Sequence, residues 1–114
     1  MAALEGYLKL SFKYNIHLIS DKVYAEAIFP IQDIPGPPPF VSVLSLDIEK
    51  LIDPSLVHVL YGMSKDWCAN GTRCGAIISP NNLQLMRALE TIASFTGTSS
   101  MAEKAWLNIL EDEE

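Results

Sequence analysis

Positive charge is scarce in this chain: eight lysines and arginines stand against fourteen acidic residues among 114, a formal net charge of −6. Nucleic-acid backbones are held mainly by clustered Lys and Arg, so a nucleic-acid partner is not expected. Cysteine is nearly absent. Cys68 and Cys74 give no disulfide framework, and no histidine lies near enough in sequence to complete a zinc pattern. Reduced thiols and no bound metal are expected. Long hydrophobic runs are missing as well: no apolar stretch approaches about 18 residues, so no membrane span is expected. The amino end carries no basic segment followed by an apolar one, so no signal peptide is expected. Together these absences predict a soluble, cytoplasmic protein.

What the chain does have is apolar residues, 49% of the total, enough over 114 residues for one domain with a modest core. Its acid excess gathers in Glu111, Asp112, Glu113 and Glu114, which reads as a solvated tail.

The pattern along the chain alternates helix and strand. AALEGYLKLSFKY, residues 2 to 14, spaces Leu4, Tyr7, Leu8 and Phe12 as one helical face, with Asn15 as its stop. IHLIS, 16 to 20, is apolar on both faces, as a central parallel strand requires. PIQDIPGPPP, 30 to 39, is a proline-rich loop, since proline removes donors and fixes φ. The second half of FVSVLSLDIEKLI, 40 to 52, is expected to be helical, and Asp53-Pro54 marks a turn. LVHVLYGMS, 56 to 64, and CGAIIS, 74 to 79, read as two further strands. Helices follow over 82 to 95, with Leu85, Met86, Leu89, Ile92 and Ala93 on one face, and over about 99 to 110, with Met101, Ala102, Ala105, Trp106, Ile109 and Leu110. This is an α/β pattern. With only three strands, its sheet edges are expected to be open, as in part of a larger domain.

In open α/β sheets, ligands bind beyond the carboxyl ends of the parallel strands. Asp21 ends the first strand run, and Ser64 and Lys65 end the second. Tyr24 lies three residues after Asp21, and Arg73 eight after Lys65. Taken singly, each has a plainer role: Asp21 as a cap, Tyr24 at the core's edge, Lys65 as a surface cation, Arg73 in a surface ion pair. Taken together, an acid, a phenol, an amine and a guanidinium on one rim suit an anionic aromatic cofactor. His17 and His58, flanked by Ile, Leu and Val, read as core or sheet-face residues without a catalytic role. Trp67 and Trp106 read as packing residues.

HLISDKVYAEAIF followed by VHVLYGMSKDWCANGTRCGAI resembles the cofactor-binding half of the class I/II aminotransferases, and within them the 1-aminocyclopropane-1-carboxylate (ACC) synthase-like enzymes, fungal ones included. These are pyridoxal 5'-phosphate enzymes of fold type I. The resemblance runs from about residue 5 to the acidic tail, in the order Asp-x-x-Tyr, Ser-Lys-Asp, Gly-x-Arg-x-Gly. It implies part of that fold's large domain, a three-stranded portion of sheet with flanking helices and an antiparallel third strand. Lys65 matches the lysine that forms a Schiff base with the cofactor aldehyde and then moves the substrate's Cα proton. An amine attacks a carbonyl only when unprotonated, and burial beside other cations favours that form. Asp21 matches the partner of the pyridine nitrogen, Tyr24 the donor to the ring oxygen, and Arg73 and Ser64 the phosphate anchors.

The chain departs from the family in places. Gly62 stands where plant synthases carry a second serine, and Lys22 follows Asp21 where the family often has glutamate. Complete members run to roughly four hundred residues, a length against which 114 covers a partial large domain without the C-terminal small domain. Two functions are therefore expected in competition. One is an enzyme segment acting on the α-amino group of an amino acid, by transamination, ring-closing elimination or carbon–sulfur cleavage, within a homodimer. The other is a non-catalytic remnant that does not bind cofactor by itself, the expectation favoured for the isolated chain.

Overall fold

In the computed structural model, which describes residues 2–29, 36 and 39–112, Ala2–Tyr14 form the first helix, α1. Glu5 in its first turn and Lys13 in its last complement the helix dipole. The helix stops at Asn15, whose φ of 50° is left-handed. There Asn15 N–H donates to Phe12 O at 3.2 Å, and Ile16 N–H reaches back to Ser11 O at 3.1 Å.

Leu18–Asp21 (β1), Val57–Gly62 (β2) and Gly75–Ile78 (β3) form one sheet in the order β1-β2-β3. β1 runs parallel to β2, with Leu18 opposite Val57 and Asp21 opposite Leu60. β3 runs antiparallel to β2, with Val59 opposite Ile78 and Gly62 opposite Gly75. The expected α/β arrangement with an antiparallel third strand is what the chain forms. Met63–Asp66 make a single helical turn, α2, directly after β2, and Leu83–Thr96 (α3) and Ser100–Glu111 (α4) close the order.

Alternation along β2 divides the packing. Val57 and Val59 face a core completed by Leu8 of α1 and by Val43, Ile48 and Ile52 from the β1–β2 connection. His58 points to the opposite face. A second, smaller core joins Met63 and Cys74 to Ala102 of α4, with Ala69, Trp106 and Ile109 packed around it. α3 is fixed at its start rather than along its length. Asn82 Oδ1 accepts from Leu85 N–H at 2.8 Å while its Nδ2 donates to Ser55 O at 2.8 Å, tying the helix to the residues before β2.

Several expectations change. The second half of 40–52 is not an α-helix but a 3-10 turn at Ile48–Lys50, and the first half holds another at Val43–Ser45. Around the Val43–Ser45 turn Ser42 Oγ accepts from Leu44 N–H and Ser45 Oγ donates to Ser42 O, local bonds that compete with an α-helical ladder there. β1, expected as a central strand, is an edge among the described residues, and Ile19 is 61% exposed. His17 lies before β1 and is exposed, whereas His58 is buried as expected. Trp67 is partly exposed rather than packed, its Nε1–H donating to the Tyr61 hydroxyl at 3.3 Å. The apolar faces of α3 and α4 are only partly covered: Leu85, Met86 and Leu89 are half-buried, while Ile92, Met101 and Leu110 are exposed. The proline-rich loop 30–39 lies, apart from 36 and 39, outside the described residues, as do 113 and 114 of the acidic tail.

Candidate active site

Because β1 and β2 are parallel and β3 is antiparallel, the carboxyl ends of the first two strands and the amino end of the third share one edge. The sequence places Asp21 at the end of β1, Ser64 and Lys65 in the turn of helix after β2, and Arg73 two residues before β3. All of them therefore lie along that edge, with Tyr24 in the loop that leaves β1.

Tyr24 and Lys65 meet: the Lys65 Nζ stands 5.9 Å from the centroid of the Tyr24 ring. Cation–π contact of this kind is worth roughly 0.5–1 kcal/mol where solvent has access. Asp21 turns the chain at the strand end, its Oδ1 accepting from Val23 N–H at 3.1 Å, after which Lys22 N–H continues the ladder to Leu60 O at 2.8 Å. Asp66, next to Lys65, accepts the Glu26 N–H on Oδ2 at 3.0 Å and so ties the Tyr24 loop to α2. Arg73 adopts a left-handed backbone with φ 53° and donates from Nη1 to Asn70 O at 2.9 Å. Cys68, between the two, is also left-handed at φ 50°. Such conformations cost of order 1 kcal/mol or more each, and they cluster where a backbone must place a side chain.

Asp21, Lys65 and Arg73 are all exposed and Ser64 is half-buried. The burial expected around the lysine is therefore not supplied by the described residues. No ion pair or hydrogen bond joins Asp21, Ser64, Lys65 and Arg73 to one another among the described residues, where the ion pair present is Lys50 with Asp47. A cleft of about 290 Å³ lined by Asp21, Ile19, Leu18, Leu4 and Tyr7 opens beside β1, away from Lys65. The donor set nonetheless fits pyridoxal phosphate chemically. The amine suits an aldehyde and the phenol a ring oxygen. The carboxylate suits a pyridinium, and the guanidinium and hydroxyl suit a phosphate.

A polar string on the far face of β2 was not legible as such in the sequence. Ser79 Oγ and His58 Nδ1 are 2.8 Å apart, and His58 Nε2 and His17 Nδ1 are 2.7 Å apart, with the two rings stacked at 5.0 Å. Burial, and then the neighbouring His17 charge, hold His58 below the ordinary histidine pKa. The paired placement of the two histidines in similar apolar runs was the available signal, and the register Ile19 opposite His58 explains their meeting. Among the described residues no group of three or more His, Cys, Asp or Glu is placed to hold a metal ion. No described helix is long and apolar enough to cross a membrane.

A three-stranded mixed sheet with flanking helices, its parallel pair ending in polar side chains on one edge, defines an α/β fold. The chain belongs to the class I and II aminotransferases, whose family model matches residues 1–114. It is 35% identical over 105 residues to "Probable aminotransferase aclI" of Aspergillus oryzae, covering 91% of this chain and 25% of that protein. It is 34% identical over 114 residues to "1-aminocyclopropane-1-carboxylate synthase 7" of Arabidopsis thaliana, covering 97% of this chain and 24% of that one. A third relative, "Probable inactive 1-aminocyclopropane-1-carboxylate synthase-like protein 2" of Mus musculus, is 28% identical over 113 residues, 99% of this chain and 18% of its own length. The chain thus spans about a quarter of the length of the first two relatives.

Proposed function

We propose that the chain is the cofactor-anchoring segment of a pyridoxal-phosphate-dependent enzyme acting on the α-amino group of an amino acid, with Lys65 as the covalent attachment point. The observation that carries this reading is the approach of Lys65 Nζ to the Tyr24 ring at 5.9 Å, just beyond the ends of two parallel strands. Asp21 would hold the protonated ring nitrogen, Tyr24 the ring oxygen, and Arg73 with Ser64 the phosphate. Bound there, the cofactor would supply an electron sink for the pair left on the substrate's Cα. Lys65, freed when the substrate amine takes its place, would carry the Cα proton on Nζ. We place residues 1–114 within a larger cofactor-binding domain of a cytoplasmic homodimer.

A second reading, a non-catalytic segment, is favoured by the exposure of Lys65 and Arg73, and one relative's name describes that relative as inactive. An absorbance titration with pyridoxal phosphate separates the two. A saturable visible band, abolished in Lys65→Ala and weakened in Arg73→Ala, is expected for the first. A band of equal size in wild type and Lys65→Ala excludes it.

A further inference from the structure

We propose that Asp66 is a positioning residue that holds the Tyr24 loop against Lys65, an inference that rests on the function proposed above. The loop from Lys22 to Phe29 is held by bonds that are mostly its own. Val23 N–H donates to Asp21 Oδ1 at 3.1 Å, Ala25 N–H to Lys22 O at 3.1 Å, and Ala27 N–H to Tyr24 O at 3.3 Å. Beyond Lys22, the hydrogen bond that leaves the loop for another element, among the described residues, is Glu26 N–H to Asp66 Oδ2 at 3.0 Å, across 40 positions of sequence.

Glu26 lies inside the Tyr24–Ala27 turn, so fixing its backbone fixes the phenol two residues earlier. On the other side, Asp66 closes the four-residue helix Met63–Asp66 that carries Lys65. One carboxylate thus spans the two elements that bring amine and phenol together. Its second oxygen, Oδ1, is buried and has no partner among the described residues. A carboxylate oxygen so placed is unfavourable, and a surface aspartate would turn it to water. The side chain follows Lys65 directly in sequence, and its other oxygen is bonded to Glu26, two residues after Tyr24.

The test has two arms, one needing no cofactor. Amide exchange in Asp66→Ala should quicken at Glu26 by roughly tenfold, the scale of one charge-assisted hydrogen bond, while Val57–Val59 amides keep their wild-type rates. Asp66→Asn, which retains an acceptor oxygen, should restore slow exchange. Glu26→Ala, which retains the N–H, should leave it unchanged. In the second arm, borohydride trapping of pyridoxal phosphate on Lys65 should fall several-fold in Asp66→Ala and recover in Asp66→Asn. Should Asp66→Ala lose its cooperative melt, Asp66→Ser, polar but too short to reach Glu26, replaces it. Unchanged exchange at Glu26, or equal acceleration in β2, overturns the proposal. So does faster exchange with undiminished trapping. Absence of trapping in the wild-type chain overturns the proposed function instead, and the exchange arm still decides whether Asp66 holds the loop.

Discussion

Gly62 shows how a single residue links the sheet to the candidate site. It ends β2 opposite Gly75, in extended backbone at φ −175°, so its conformation does not require glycine. Space does. A Cβ built there would sit 3.1 Å from Cys74 O and 3.4 Å from Gly75 Cα, and Cys74 O already accepts from Met63 N–H. Both obstacles are backbone atoms, at the start of the paired strand and the residue before it, and cannot swing aside as a side chain would. Gly62→Ser is therefore expected to destabilise the chain by about 1–2 kcal/mol, the scale of overpacking. Denaturant midpoints measure it, and a midpoint equal to or above the wild type would contradict the steric reading. At this scale the sequence was most legible for residues defined by order along the chain: Asp21, Tyr24, Ser64, Lys65 and Arg73 do fall along one edge. It was least legible for Asp66, whose partner lies 40 positions away and is a backbone N–H that carries no side-chain signature.

Among the elements, β2 was the easiest to anticipate and the connection before it the hardest. A run of β-branched and aromatic residues names a strand by itself. The second half of 40–52 was expected to be helical, but the stretch forms 3-10 turns, and Ser42 and Ser45 bond the backbone around the first of them at Val43–Ser45. β2 also carries the element-scale pH prediction. His58 is buried between His17 and Ser79, and its folded pKa is lowered by burial and then by His17. The unfolded chain therefore binds the proton first, so stability is full above about pH 6.5 and declines as the pH falls through that value. Thermal melts from pH 8 to pH 5 should show a falling midpoint, flattened in His58→Gln. The Asp53 carboxyl, lowered by the Ser55 backbone N–H bond, acts only below about pH 4 and does not confuse that window. A midpoint independent of pH over this range would remove the buried, neutral assignment of His58.

Over the whole molecule, the dimensions describe a slab. The principal extents are 47 × 42 × 22 Å, and the radius of gyration is 16.4 Å. A closed domain of this length would show roughly 13 Å. Both outer strands leave apolar side chains uncovered, Ile19 on β1 and Ile77 and Ile78 on β3, while Phe95 on α3 is 90% exposed. Open edges and bare helix faces of this kind pair with other chains. The isolated chain is therefore expected to self-associate, and Ile19→Lys to shift it towards monomer in size-exclusion chromatography with light scattering. A wild-type monomer at tens of micromolar would contradict this. The extent of bare surface could not be read from sequence, because periodicity names an apolar face without saying what covers it.

The central claim concerns one amine at the sheet's carboxyl edge. Incubating the chain with pyridoxal phosphate, reducing with borohydride and mapping the modified peptides tests it directly. Lys65 should carry nearly all of the label, with Lys22, Lys50 and the remaining lysines close to background, and the label should vanish in Lys65→Ala. Label spread evenly over the exposed lysines would contradict the assignment of Lys65.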